Sequence, residues 1–90
     1  MEVYMATLTG AVIREQGITF AVVIVKNHVV NCQTTSSNMI QDLIPVFGVP
    51  LIALKGESNR KVRSNRRDVA SFVANLHPSR IPWRKYTLNG

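Results

Sequence analysis

Positively charged side chains are concentrated between Lys55 and Arg67, where the sequence KGESNRKVRSNRR holds six of the eleven Lys and Arg residues. The same stretch contains a single acid, Glu57. Arg66 and Arg67 lie at the start of a predicted helix, where free backbone amides attract anions. Cations at that end of a helix are otherwise unfavourable, by about 0.3 kcal/mol. The pattern therefore indicates a candidate site for phosphates or another polyanion.

Basic and aromatic residues alternate near the end of the chain, at Arg80, Trp83, Arg84, Lys85 and Tyr86. Nucleic-acid bases stack on exposed aromatic rings, so this composition suits a protein that binds single strands. The predicted anion or nucleic-acid site comprises these five residues together with Lys55, Arg60, Lys61, Arg63, Arg66 and Arg67. The alternative is that these charges are solvated and protect a strand edge from pairing, while Trp83 or Tyr86 covers the core.

Residues with nucleophilic or metal-binding side chains are few. Cys32 is the only cysteine, and His28 lies four residues before it, too far in an extended chain to activate the thiol. A buried, inert cysteine is the more common arrangement. The histidines and the cysteine lack zinc-site spacing, the acids are not paired for acid–base catalysis, and nucleotide-binding motifs are missing. We therefore expect a protein that is not an enzyme and uses no metal or cofactor, and catalysis by His28 and Cys32 is a third hypothesis.

Length and composition predict one domain over residues 1–90, because 90 residues with 46% hydrophobic content can form one core. The formal net charge is +6, and residues 51–90 carry nine of the eleven basic residues. Such asymmetry favours a polyanionic partner, although small basic proteins without one are common. The N-terminus lacks the features of a signal peptide, and the apolar run Ile18–Val25 is too short to span a membrane. A cytoplasmic protein with no membrane partner is expected.

The first half of the chain predicts two strands and a helix. Residues 3–13 are rich in β-branched side chains, with Gly10 marking a bulge or a close approach, and a four-residue hairpin loop at 14–17 follows. Residues 18–26 are almost continuously apolar, which is typical of a central strand covered on both faces. After an irregular crossing, a helix starts near Ser37 or Asn38 and ends or kinks at Pro45.

The second half predicts a short internal strand over 49–54, a charged edge strand over 60–64, a helix and a last strand over 81–88. Ser64 or Asn65 is the expected cap of this helix, with Asp68 in its first turn. The order β-β-α-β-β-α-β predicts an α/β fold of the α+β type. We expect an open mixed sheet of four or five strands, with two helices mainly on one face and the first and last strands at its edges.

The chain shows two resemblances to known proteins. Between Ile18 and Leu76, the order of strand, helix, Val49-Pro50 strand, hairpin and helix resembles part of a thioredoxin-like arrangement. The chain contains no Cys-x-x-Cys motif, so this resemblance does not imply redox activity. The sequences QGITFAVVIVK (16–26) and IPWRKY (81–86) are similar to those of a family of small uncharacterised bacterial proteins, and this resemblance implies no activity.

These observations together predict a small non-enzymatic binding or assembly module. One-sided helices and apolar strands in a chain of this size often leave an open sheet edge, so a protein partner or a homodimer is expected. The alternative is nucleic-acid binding through the basic loop at residues 55–67 and the last strand. One contiguous basic face would favour this alternative, and scattered charges would count against it.

Overall fold

A computed structural model of the chain describes residues 5–15, 17–58 and 61–89. It is an α+β fold with one five-stranded mixed sheet. The strands are β1 (Met5–Glu15), β2 (Ile18–Val25), β3 (Ile52–Gly56), β4 (Val62–Ser64) and β5 (Arg84–Asn89). The helices are α1 (Asn27–Asn31), α2 (Gln33–Phe47) and α3 (Arg67–Asn75), and a 3₁₀ turn spans Pro78–Arg80. None of these helices combines the length and the apolar character needed to cross a membrane.

The order of the strands across the sheet is β4-β3-β2-β1-β5. β2 and β3 are parallel, and every other neighbouring pair is antiparallel. The central position predicted for β2 is confirmed, as is the edge position of β5. The prediction that the first strand lies at an edge is wrong, because β5 pairs with β1 from Met5↔Asn89 to Gly10↔Arg84.

The two longer helices pack on opposite faces of the sheet, so the expectation that both lie mainly on one face is wrong. Ala21 and Val23 of β2 join the core that includes α2, whereas Phe20 and Val22 join the core that includes α3. We call these surfaces the α2 face and the α3 face. A strand with apolar side chains on both faces buries them only when each face is covered.

The boundaries of α2 differ from the prediction at both ends. α1 and the start of α2 occupy the segment expected to be irregular, and Cys32 precedes the first residue of α2. Pro45 lies inside the helix, which ends at Phe47, and the capping residue Gly48 that follows has a positive φ of 70°. The buried side chains Ile40 and Leu43 anchor α2 to the sheet, and tertiary packing of this kind commonly outweighs local propensity.

The side chain of Asn65 does not cap α3, although the sequence predicted that it or Ser64 would. Its Oδ1 accepts a hydrogen bond from the Ile52 amide at 3.1 Å, and its Nδ2 donates to the Pro50 carbonyl at 2.8 Å. Asn65 therefore joins the start of α3 to the start of β3. Asp68 lies in the first turn of α3, as predicted.

The β1–β2 turn is tighter than the predicted four-residue loop, because pairing continues to Glu15↔Ile18. Gly17 has a φ of 78°, which suits a glycine in a tight hairpin turn. Gly10 marks a close approach and not a bulge, since its register with β2 is continuous. A Cβ atom on Gly10 would lie 3.2 Å from the ring of Phe47. Val3 and Tyr4 of the predicted strand lie outside the described residues.

Candidate functional site

The basic residues of β3 and β4 lie on opposite faces of the sheet. Arg63 pairs with Leu54, which belongs to the α2-face core, and the Nε of Arg63 donates to the Val30 carbonyl at 2.8 Å. Lys55 pairs with Val62, which packs against the α3-face core. Paired residues share a face in an antiparallel ladder, so Lys55 and Arg63 cannot bind the same flat surface.

The two arginines at the start of α3 are exposed. Arg66 forms a 2.8 Å ion pair with Asp68, whose charge offsets the unfavourable position of a cation at this helix end. An exposed pair of this kind contributes only about 0–1 kcal/mol. Arg66 therefore has a local partner within α3, and the charge of Arg67 remains available at the surface.

The remaining basic residues are spread across the molecule. Arg84 and Lys85 are consecutive in β5, so their side chains project from opposite faces. β5 and β4 form the two sheet edges, about 19 Å apart at the usual strand spacing. Lys61 and Arg80 are exposed, and Arg60 lies outside the described residues. The predicted basic residues are therefore not brought together on one face of the described chain, and nucleic-acid binding stays a prediction.

The aromatic residues near the end of the chain contact the protein itself. Trp83 is partly buried against the α3-face core, and its indole Nε1 donates to the Pro78 carbonyl at 3.0 Å. The ring of Tyr86 is half-buried on the other face, 4.6 Å from that of Phe47 between centroids. This arrangement matches the alternative in which these rings cover the core, and it leaves less aromatic surface for stacking with bases.

The outer edge of β5 is the longest unpaired strand edge in the described sheet. β5 has six residues, whereas the opposite edge strand, β4, has three. Pairing of β5 extends only to β1. The edge is flanked on the α2 face by Val12, which is 41% exposed, and by Tyr86. The sequence indicated an edge here but not the exposed valine beside it.

Cys32 is exposed at the N-terminal end of α2, which differs from the buried position expected from the sequence. Its Sγ accepts a hydrogen bond from the Thr35 hydroxyl at 3.2 Å. This hydrogen bond lowers the pKa of the Cys32 thiol, and the backbone amides of Thr35 and Thr34 and the charge of Arg63 act in the same direction. The sequence signal was the Cys32–Thr35 spacing, which is that of N-cap and N3 residues.

We expect Cys32 to be alkylated by iodoacetamide with a pH midpoint below that of a free thiol, because the thiolate is the reactive species. Thr35→Val removes the hydroxyl donor and should move the midpoint upward, with slower alkylation at neutral pH. Thr34→Val is the matched control, since only the backbone of Thr34 lowers this pKa. Equal midpoints for the wild type and Thr35→Val would contradict the assignment.

The lowered pKa also fixes the direction of a stability effect. Because folding favours the Cys32 thiolate, its contribution to stability is fully present above the pKa of the unfolded thiol. That contribution is lost as the pH falls through the lower pKa of the folded state.

His28, the other member of the hypothetical catalytic pair, is exposed on α1, and no described hydrogen bond joins it to Cys32.

Within the described residues, no three His, Cys, Asp or Glu side chains lie close enough together to hold a metal ion. No protein-family model, curated protein or solved structure matches the chain. The two resemblances seen in the sequence therefore stay predictions, and function has to be inferred from the geometry of the chain itself.

Proposed function

We propose that the chain is a non-enzymatic assembly module in which β5 pairs with β5 of a second copy. The observation that carries this proposal is the outer edge of β5, which spans six residues and pairs with no other described strand. β5 contains no proline, and its pairing with β1 holds its backbone extended. An extended strand with free amides and carbonyls is a template for another strand. Two five-stranded sheets would join into one sheet of ten.

The charges of β5 favour an antiparallel arrangement. Both basic residues, Arg84 and Lys85, lie at the beginning of the strand. Parallel pairing in register would bring like charges together, which destabilises a ladder. Antiparallel pairing centred on Tyr86 or Thr87 places Arg84 and Lys85 opposite uncharged residues of the second copy. The basic residues therefore protect the edge against one orientation and permit the other.

The α2 face next to β5 supplies apolar surface that a second copy could cover. Val12 and Val46 are 41% and 42% exposed, and they are the large hydrophobic residues that stand out as exposed among those described. Val12, Pro82 and Tyr86 line one shallow depression beside the edge, together with the charged residue Arg84. Val46 precedes Phe47, whose ring contacts Tyr86. Covering such side chains adds about 25 cal/mol per Å² of apolar surface removed from water.

The test is self-association measured by sedimentation, comparing the wild type with Thr87→Lys. Thr87 is exposed near the middle of β5, and in either central register the added ammonium group meets a cation of the second copy. A cross-strand repulsion costs about 0.2–1 kcal/mol, and it occurs twice when the pairing is centred on Tyr86 and once when it is centred on Thr87. We therefore expect the dimer Kd to rise roughly two- to thirtyfold. Ser71→Lys, on the exposed side of α3, adds the same charge away from this edge.

The proposal fails if the wild type is monomeric at every concentration tested. It also fails if Thr87→Lys and Ser71→Lys change the Kd equally, because the effect would then be one of net charge. At concentrations well below the dimer Kd, both variants should keep the unfolding midpoint of the wild type, since neither residue belongs to the core. The cytoplasmic location proposed from the sequence is consistent with the exposed Cys32, because a reducing compartment prevents its oxidation to intermolecular disulfides.

A further inference from the structure

A cleft on the α3 face separates the end of β3 from the C-terminal end of α3. Its volume is about 440 Å³, within the range of roughly 300–1,000 Å³ typical of small-molecule sites. Val62, Val73 and Leu76 give it apolar walls. The cleft lies toward the β4 edge of the sheet, so it is separate from the β5 edge proposed for assembly.

Among the described residues, Lys55 is the Lys or Arg side chain that lines this cleft. Its side chain is half-buried, and none of the hydrogen bonds or ion pairs found among the described residues satisfies its ammonium group. A partly desolvated cation without a partner favours an anionic ligand, and charge-assisted hydrogen bonds are stronger than neutral ones. The cleft therefore combines apolar walls with one available positive charge.

The other polar groups limit the ligand to one anionic group. His77 Nδ1 accepts a hydrogen bond from the Ser79 amide at 3.2 Å, so the neutral ring carries its proton on Nε2 as a donor. Asn75 Nδ2 donates one of its two N–H groups to the Ser71 carbonyl at 2.9 Å. Glu57 is exposed at the opening of the cleft and would repel a second negative charge. One ammonium group and one carboxylate among the described lining residues therefore favour a ligand with a single negative charge.

We propose that this cleft binds a small apolar molecule that carries one carboxylate or sulfonate group. The anionic group binds at Lys55, and the apolar part lies against Val62, Val73 and Leu76. Apolar walls provide most of the buried surface in such sites, and a single charged contact fixes the orientation of the ligand.

The probe for the test is anilinonaphthalene sulfonate, an apolar fluorophore with one anionic group, titrated into the folded wild-type protein. We expect Lys55→Gln to raise its Kd about tenfold, the usual scale for losing a charge-assisted contact. Glu57→Gln should lower the Kd a few-fold, because it removes a repulsive charge. Lys85→Gln makes the same change as Lys55→Gln on a distant exposed strand and should leave binding unchanged.

A second variant blocks the cleft without changing its charge. Ala74 is exposed and lines the cleft, so Ala74→Tyr should abolish the fluorescence increase even if Lys55→Gln fails to fold. Neutral phenylnaphthylamine should bind the wild type and Lys55→Gln equally weakly. The proposal is overturned if the sulfonate binds Lys55→Gln as tightly as the wild type, if Lys85→Gln weakens binding as much, or if Ala74→Tyr has no effect.

Discussion

Replacing Leu54 with alanine is expected to lower the free energy of unfolding by about 2–5 kcal/mol, the usual cost of truncating a buried leucine. Leu54 is 0% exposed and lies in β3 between the central strand and the β4 edge. The substitution would leave a cavity beneath α2, in the core that also contains Val23 and Leu43. Since domains of this size have about 5–15 kcal/mol of stability, the loss is a large fraction of the total.

Urea denaturation followed by the fluorescence of Trp83 measures this loss, because Trp83 is the only tryptophan and packs against the core. Val46→Ala is the matched control. It removes methyl groups from the same face at a position that is 42% exposed, and surface changes usually stay within about 0.5 kcal/mol. Equal losses at the two positions would show that Leu54 is not in a closed core.

A second substitution tests whether the sheet is covered on both faces. Ala53 is 0% exposed and belongs to the other core, with Phe20 and Val73. Ala53→Leu overpacks that core and should cost about 1–3 kcal/mol. The double variant Ala53→Leu/Leu54→Ala nearly conserves total side-chain volume, yet we expect it to be less stable than either single variant. Recovery of stability in the double variant would mean that the two side chains share one core.

The sequence predicted the parts of this fold that depend on short-range patterns. The uninterrupted apolar run of β2 identified a central strand because only such a strand buries side chains on both faces. Val69, Phe72, Val73 and Leu76 repeat with the period of one helical face, and Val69 and Val73 are buried in α3. These features depend on residues that are close together in the sequence, so the sequence alone predicts them.

The failed predictions depend on contacts between distant segments. The edge position expected for β1 failed because the partner of β1, β5, is separated from it by most of the chain. Because β2 has apolar side chains on both faces, other elements have to pack on both faces of the sheet. The helix sequences do not indicate on which face each helix packs. At the start of α2, a cysteine takes the N-cap position, for which Ser, Thr, Asp and Asn are the usual indicators.

The positions of the predicted basic residues also depend on contacts between distant segments, so the sequence alone does not show whether they come together. Strand alternation alone predicts that Arg84 and Lys85, which are consecutive in the sequence, project from opposite faces. However, only the strand order places Arg63 and Arg84 at opposite edges of the sheet. Basic residues that are close together in the sequence therefore lie on several separate surfaces of the folded protein. The exposure of Val12 beside β5 and the position of Lys55 in its cleft depend on how other elements pack, which the sequence does not show.

Gly10→Ala is a further substitution with a large expected effect, because an added methyl group would collide with two neighbours. Its Cβ would lie 2.8 Å from the carbonyl oxygen of Val22 and 3.2 Å from the ring of Phe47. The carbonyl belongs to the central strand and cannot move without disturbing the ladder. Although alanine is entropically better than glycine in a strand, we expect overpacking to dominate, with a net loss of about 1–3 kcal/mol.

The collision also connects the core to the proposed assembly edge, because the Phe47 ring contacts Tyr86 of β5 at 4.6 Å between centroids. Phe47→Leu removes the ring atoms that the new methyl group would meet, so the double variant should recover part of the stability lost in Gly10→Ala. A double-mutant cycle measures this coupling, which is about 0.5–3 kcal/mol for residues in contact. Strictly additive losses, or a Gly10→Ala variant more stable than the wild type, would contradict the close approach of Phe47 to β1. If Gly10 and Phe47 are coupled in this way, Gly10→Ala should also change the dimer Kd. It shifts the Phe47 ring, which contacts Tyr86 on the edge that pairs.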